Sequence, residues 1–335
     1  MCACEPGMNT HLATTIPEEA ALDAAATVLA AGELAAIPTE TVYGLAADAT
    51  NGEAVARIFE AKGRPRFNPL IVHVDGFAMA ELIGRFDPLS RRLAERFWPG
   101  PLTLVLPLAE SSPVHPLVTA GLDTVAIRMP GGFANGLIAR FGRPLAAPSA
   151  NSSGKVSCTT AKAVEADLGQ RIGLIVDGGA TPVGLESTIL KVEDGRPVLL
   201  RPGGVTVEEI EAFLGMPVER AAGKAIEAPG MLASHYAPAA SVRLDAEEVR
   251  DGEALLAFGP IRAVHADRAV ATLNLSETGD LREAAANLFS HLQALDRTNA
   301  HAIAVESVPR HGLGEAINDR LARAAAPRDK PFGPN

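Results

Sequence analysis

Gly173-Leu-Ile-Val-Asp177, Ser187-Thr-Ile-Leu-Lys-Val192 and Pro197-Val-Leu-Leu200 follow one another inside the stretch GLIVDGGATPVGLESTILKVEDGRPVLL, residues 173–200, and that stretch decides the fold. Each run is short and apolar and is bounded by Gly, Pro or Asp, the pattern of a buried strand. No helical pattern separates them, so the strict strand–helix alternation of a doubly wound parallel sheet is absent. Working outward, Leu34-Ala-Ala-Ile37, Pro69–Val74, Leu102–Leu106, Val125–Arg128 and Leu145–Ala147 read as further short strands. Helices are expected over Pro17–Ala31, with Glu18 and Glu19 in the first turn, and over Asn51–Ala61, where Val55, Ile58 and Phe59 recur at helical spacing. Leu89–Phe97 and Val207–Leu214 are two more. Helices mingled with many short strands predict an α/β fold on a twisted, mixed sheet.

After Leu214 the composition changes. Residues 221–241, AAGKAIEAPGMLASHYAPAAS, are rich in Ala, Gly, Pro and Ser without sustained periodicity, which reads as a linker. Beyond it, strands at Ala254–Phe258 and Ala302–Val305 and helices at Asp280–Leu295 and Glu315–Ala325 make a second, small α/β unit. Pro327–Asn335 reads as a tail. The expected organisation is a first domain over 1–220, a linker over 221–241 and a small domain over 242–335, in keeping with about two domains for 335 residues.

Composition removes several classes. Apolar residues at 47 % and charged residues at 21 % give ample core material and argue against global disorder. No run approaches the ~18 consecutive apolar residues of a membrane-spanning helix. Met1–Thr10 carries no basic segment followed by an apolar core, so a cytoplasmic location without membrane association is expected. The formal charge of −10 disfavours broad attraction to a phosphate backbone. Cys2, Cys4 and Cys158 make neither a disulfide framework nor a paired zinc motif, so no structural metal is expected.

The chain lacks the P-loop, the dinucleotide G-x-G-x-x-G, the H-E-x-x-H and the G-x-S-x-G signatures. What it offers instead lies at strand ends and helix ends. Ala61-Lys-Gly-Arg-Pro-Arg-Phe-Asn-Pro-Leu70 places Lys62, Arg64 and Arg66 at alternate positions, which in an extended loop would face one way and could clamp a polyphosphate. The same cations could equally complement a helix C-terminus. Ala147-Pro-Ser-Ala-Asn-Ser-Ser-Gly154 sets Ser149 and Asn151 two apart after an apolar strand, suited to phosphate or ribose oxygens or to an ordinary turn. Pro38-Thr-Glu-Thr-Val-Tyr-Gly44 brings hydroxyls and one carboxylate to another strand end, and Leu199-Leu-Arg-Pro-Gly203 brings Arg201, which could instead form a surface ion pair.

Together these segments resemble the YrdC-type threonylcarbamoyl-adenylate synthases. The resemblance is carried by Pro38–Leu45, by Lys62-Gly-Arg-Pro with Asn68-Pro-Leu, and by Trp98-Pro-Gly-Pro-Leu-Thr103. Thr119–Arg128, Ala147-Pro-Ser-Ala-Asn151, Glu186-Ser-Thr-Ile189 and Leu200-Arg-Pro-Gly203 extend it. Pro229-Gly-Met-x-x-x-His-Tyr-Ala-Pro238 is similar to the linker of the long, two-domain members, and Gly312–Arg320 to their C-terminal domain. The matches run in order over nearly the whole chain. Leu185, before Glu-Ser-Thr, and Leu232-Ala-Ser234 in the linker depart from the family pattern without touching a matched polar position.

The resemblance implies a concave, positively lined YrdC-like domain joined to a small Rossmann-like domain. It implies synthesis of threonylcarbamoyl-AMP and pyrophosphate from L-threonine, bicarbonate and ATP, for the N6-threonylcarbamoyladenosine modification of tRNA, with Mg2+ accompanying ATP. Lys62, Arg64, Ser149 and Asn151 match the family's catalytic tetrad. ATP is expected on these four with Asn68, Thr124, Ser157, Arg201 and Tyr236, and L-threonine on Thr39, Thr41, His73, Arg128 and Ser187. The linker residues His235 and Tyr236 are expected in a lid over the site, and a downstream tRNA threonylcarbamoyl transferase machinery is the expected partner. A competing reading makes the basic concavity a cradle for tRNA or double-stranded RNA. The charge of −10 and an aromatic content of 4 % oppose strong direct nucleic-acid binding. A nucleotide site in the small domain lacks a phosphate-binding glycine motif.

Overall fold

The computed structural model describes residues 10–12, 18–221 and 236–327. Cys2, Cys4, His235 and the expected tail from residue 328 onward lie outside the described residues. The chain divides into two compact units, residues 1–153 with 157–231, and residues 154–156 with 232–335. The division between them falls at 231/232, and residues 154–156, within a loop, are counted with the second unit.

The first unit begins with β1 (Thr10–Leu12), α1 (Glu18–Ala30), β2 (Ala35–Ile37) and β3 (Gly44–Asp48). Next come α2 (Gly52–Lys62), β4 (Ile71–His73), α3 (Phe77–Ile83), α4 (Pro88–Phe97) and β5 (Leu102–Pro107). The middle holds α5 (Pro116–Thr119), β6 (Thr124–Arg128), α6 (Gly132–Phe141), β7 (Leu145–Ala146), α7 (Ala161–Leu168) and β8 (Leu174–Val176). β9 (Thr188–Glu193), β10 (Arg196–Arg201), α8 (Val207–Leu214) and β11 (Glu219–Arg220) complete it.

Among the described residues, eleven strands form one sheet in the order β1-β8-β2-β3-β7-β4-β6-β5-β9-β10-β11. The sheet is mixed, as expected: β4 and β6 run parallel, as do β5 and β9, while β3–β7, β5–β6 and β9–β10 are antiparallel. The antiparallel β9–β10 hairpin accounts for the missing helix between the second and third strands of the deciding stretch. A single large core, with Leu45, Val55, Ile58, Val72, Leu93, Leu104, Ile127 and Leu190 buried, joins the sheet to α2, α4 and their neighbours. A second cluster packs α1 and α6 through Leu22, Leu29, Leu137 and Ile138.

The helix that carries Lys62 is defined at both ends. Asn51 caps α2 by accepting from the N–H groups of Glu53 and Ala54. Gly63, at φ 59°, takes the left-handed conformation that stops it, and Arg64 N–H returns to the Phe59 carbonyl. That reversal sets the direction of the following loop.

The second unit holds β12 (Ser241–Arg243), β13 (Glu253–Ala257), β14 (Thr272–Asn274), α9 (Leu281–Asp296), β15 (Ala302–Val305) and α10 (Leu313–Ala325). Among its described residues the four strands are all parallel, in the order β12-β15-β13-β14, the small Rossmann-like arrangement expected. Gly154 accepts from Ala237 N–H at 2.9 Å and Val156 from Gln293 Nε2 at 3.5 Å, which ties residues 154–156 into this unit.

Candidate active site of the first unit

Site residues cluster where helix and strand ends meet loops. Lys62, the last residue of α2, is 3 % exposed, and its Nζ donates to the Ser149 carbonyl at 2.6 Å and to the Asn151 carbonyl. The Lys62 carbonyl in turn accepts from Ser153 N–H at 2.8 Å. The Ser149–Asn151 loop is pinned on its other side, since Ala150 N–H bonds the Tyr43 carbonyl at 2.7 Å and Gly44 bridges to Ser149. Burial, and then the Arg64 charge, push the Lys62 ammonium down to about 7.

Arg64 is buried as well and donates from Nε to the Asn68 carbonyl at 3.3 Å and from Nη2 to the Pro69 carbonyl at 2.9 Å. Asn68 is 1 % exposed, and neither its amide nitrogen nor its amide oxygen has a hydrogen-bond partner. The expectation that Lys62, Arg64 and Arg66 share one face is corrected. Lys62 and Arg64 turn inward while Arg66 is exposed, because left-handed Gly63 breaks the extended alternation on which that reading relied.

Ser187 precedes β9 and Arg201 ends β10. Arg201, 3 % exposed, donates from Nη2 to the Ser187 carbonyl at 2.9 Å and to its hydroxyl at 3.2 Å. The Ser187 hydroxyl also meets that of Thr103 at 2.7 Å. Gly203 allows this crossing. A Cβ there would lie 2.4 Å from the Glu186 carbonyl oxygen and from the Thr188 nitrogen. Ser157, fully buried, donates to Glu186 Oε1 at 2.6 Å.

His73 and Arg128 end the adjacent parallel strands β4 and β6 and are register partners. Arg128 donates from Nε to the Gly100 carbonyl at 3.2 Å and from Nη1 to Thr41 Oγ1 at 2.9 Å; Thr41 Oγ1 lies 2.8 Å from Thr39 Oγ1. Burial, followed by the Arg128 charge, pushes His73 down to about 3, so its ring is neutral near pH 7.

The structure thus brings Lys62, Arg64, Asn68, Ser149 and Asn151 into one set, Thr39, Thr41, His73 and Arg128 into a second, and Ser187 with Arg201 into a third. Thr124 opens β6, at the opposite end of the strand from Arg128, about 13 Å away at the usual rise of a strand. Tyr236 belongs to the second unit, where its ring is 1 % exposed and stacks on Phe289 at 5.4 Å between centroids. Among the described residues no three His, Cys, Asp or Glu side chains converge where a metal ion could be held. No helix among them is long and apolar enough to cross a membrane. Sequence reasoning did not assign Glu40, Thr103 or Glu186, although Glu40 stood out as the lone carboxylate between two threonines.

Two family models match the chain. Residues 27–203 match the Sua5/YciO/YrdC family described as telomere recombination, and residues 205–326 match the threonylcarbamoyl-AMP synthase C-terminal domain. A threonylcarbamoyl-AMP synthase of Pyrococcus abyssi is 45 % identical over 93 % of this chain and 96 % of its own length. One from Bacillus subtilis is 43 % identical over 96 % of each. The crystal structure of the P. abyssi Sua5 protein complexed with L-threonine superposes with a TM-score of 0.84 at 41 % identity, covering 94 % of this chain and 96 % of that one.

Proposed function

The chain belongs to the threonylcarbamoyl-AMP synthase family, in its two-domain form, and from that premise we propose how its residues divide the work. The enzyme is an ATP-using adenylyl transferase that joins L-threonine, bicarbonate and ATP into threonylcarbamoyl-AMP and pyrophosphate, the intermediate for threonylcarbamoyladenosine in tRNA.

Two bonds are made. The threonine ammonium and bicarbonate form a C–N bond, lose water and release a proton. An oxygen of the resulting N-carboxylate then attacks the α-phosphorus of ATP, and the bond from that phosphorus to the bridging oxygen breaks as pyrophosphate leaves. Every reactant carries negative charge, so the site's task is to gather anions and hold them in line. Positioning of this kind is worth roughly 7–11 kcal/mol in favourable cases, and oriented donors in a dry site add to it.

Lys62 spends two of its three N–H donors on the carbonyls of Ser149 and Asn151 and keeps a third for a phosphate oxygen. Arg64 and Arg201 supply the other buried cations. Asn68, Thr124, Ser149, Asn151 and Ser157 orient the nucleotide. Arg128 takes the threonine carboxylate, and Thr39, Thr41, His73 and Ser187 receive its remaining polar groups. Because the donors around Lys62 are cations, amides and hydroxyls, Mg2+ would arrive with ATP, held on its phosphates. The linker, with His235 and Tyr236, would close over the bound reactants, and removing residues 221–335 should then lower turnover. Product handover to a tRNA threonylcarbamoyl transferase machinery and a cytoplasmic location complete the reading.

The observation that carries these assignments is where the buried unmet polar atoms fall. Both polar atoms of the Asn68 amide and His73 Nδ1 lack hydrogen-bond partners and belong to residues singled out for substrate, as Thr181 Oγ1 and His291 Nδ1 elsewhere do not, while Arg128 Nη2 meets only the Glu40 carboxylate, in an ion pair. Such atoms are rare and costly unless a ligand completes them. The buried state of Lys62, Arg64, Arg128 and Arg201 suits small anions better than an RNA backbone, which needs cations on the surface. The test is mass-spectrometric detection of the adenylate after mixing protein, ATP, threonine and bicarbonate without RNA. Lys62→Ala and Arg64→Ala should abolish the product; formation by either variant at the wild-type rate would remove these residues from the site.

A further inference from the structure

Glu40 stands between Thr39 and Thr41 and has not so far been given a task. Its carboxylate oxygen Oε1 lies 2.7 Å from Arg128 Nη2, yet the contact is an ion pair without hydrogen-bond alignment. Both atoms are buried and both keep unspent hydrogen-bonding capacity, as does the neighbouring His73 Nδ1. The other arms of Arg128 are engaged by Gly100 and Thr41. Glu40 itself is fixed from two sides, since Oε2 accepts from Gly131 N–H at 3.3 Å and its backbone carbonyl accepts from Val183 N–H at 3.0 Å.

The unmet groups have opposite sense: a cationic donor on Arg128 and an anionic acceptor on Glu40. With His73 neutral, the charges of Arg128 and Glu40 cancel. A ligand bearing only a carboxylate would reach Arg128 against the repulsion of the Glu40 carboxylate already beside it. A ligand that carries an ammonium next to its carboxylate meets no such penalty. Its carboxylate accepts from Arg128 Nη2 while its ammonium donates to Glu40 Oε1. In an α-amino acid both groups hang on one carbon, within hydrogen-bonding distance of each other, and so straddle the 2.7 Å contact.

We infer that Glu40 is a specificity-determining residue of the amino-acid subsite, receiving the substrate's ammonium so that the site selects an α-amino acid over the corresponding acid without an amine. This rests on the threonine reading of Arg128 given above. Once the amine is carboxylated its positive charge is gone and a new anion faces Glu40.

The test is calorimetric titration of the full-length protein with L-threonine and with (3R)-3-hydroxybutanoate, which is threonine without its amine. Wild type should prefer threonine by about 100-fold or more, because a buried acceptor left unmet is strongly penalised. Glu40→Gln keeps the side chain's length and an acceptor for Gly131 but removes the charge. It should weaken threonine about tenfold or more and strengthen the deamino acid, collapsing the preference, while ATP affinity stays at the wild-type value. Glu40→Asp should retain the preference with weaker binding. Unchanged threonine affinity and unchanged preference in Glu40→Gln would overturn the assignment, and so would parallel loss of ATP binding, which would make the carboxylate a structural brace. A wild-type protein that took up no threonine would be a different failure, that of the amino-acid subsite itself.

Discussion

Lys62 Nζ donates to the carbonyl oxygen of Ser149 at 2.6 Å, although 87 positions separate the two residues in the chain. The bond makes a buried ammonium part of the loop that carries Asn151, so the protonation of one residue and the shape of the other are linked. It also places the lysine where desolvation weakens its hold on the proton.

The first prediction concerns that proton. With Lys62 held near 7, the free protein loses the ammonium charge above neutrality, whereas bound phosphates restore it. ATP binding should take up close to one proton at pH 8.5 and almost none at pH 5.5, and affinity should fall about tenfold per pH unit on the alkaline side. Lys62→Arg, which stays charged throughout, should flatten the profile even where it binds more weakly. Calorimetry in two buffers of different ionisation enthalpy measures the uptake directly; equal apparent enthalpies at pH 8.5 would refute it.

His73 makes an acid-stability prediction. Its unfolded value is near 6.5 and its folded value about 3, so between these the unfolded chain binds the extra proton. Stability is therefore retained above pH 6.5 and lost as pH falls toward 3, by about 2 kcal/mol at pH 5 from this group alone. His73→Gln should lose less stability than wild type between pH 7 and pH 5 in urea titrations. Identical losses in the two proteins would count against a buried neutral ring.

Tyr43 sits fully buried with its hydroxyl donating to the Gly179 carbonyl at 2.7 Å and accepting from Gly178 N–H at 3.1 Å. Burial pushes the phenol up to about 12, so it stays a donor at any working pH. Tyr43→Phe leaves both backbone groups unmet and should cost about 1–3 kcal/mol. Thermal melting of the variant beside wild type tests it, and a shift under one degree would contradict the bonding described.

Gly203→Ala should injure the site through the backbone. The added Cβ would press within 2.4 Å of main-chain atoms of Glu186 and Thr188, which cannot swing aside as a flexible side chain would. A destabilisation of about 1–3 kcal/mol is expected, with a raised KM for threonine as Ser187 is displaced. Gly76→Ala, where nothing lies within 4 Å of the new atom, is the control and should be nearly silent.

Much of the fold could be read from strands rich in Leu, Val and Ile, such as β5 and β10, and from helices with clear spacing, such as α2 and α8. β3 escaped because its sequence, Gly-Leu-Ala-Ala-Asp, has little β-propensity; it is a strand because β2 and β7 pair on either side and bury every residue. α6 was hidden by Gly132, Asn135 and Gly136, poor helix formers in a helix held by packing against α1. In the candidate site, the small polar residues at strand ends, such as Ser149 and Ser187, were legible as a group from their places in the sequence. The direction of Arg66 was not, since it depends on one left-handed glycine. Nor was the place of Glu40 legible, because it lies in a loop and its partner Arg128 comes from a distant strand, and such long-range charge pairing leaves no local pattern.

The tripeptide Gly154-Lys-Val156 is counted with the second unit while the chain on either side of it builds the first. Evolutionary shuffling or laboratory grafting of residues 232–335 onto another catalytic module would thus deliver an incomplete cargo. The host would have to supply those three residues from a loop of its own.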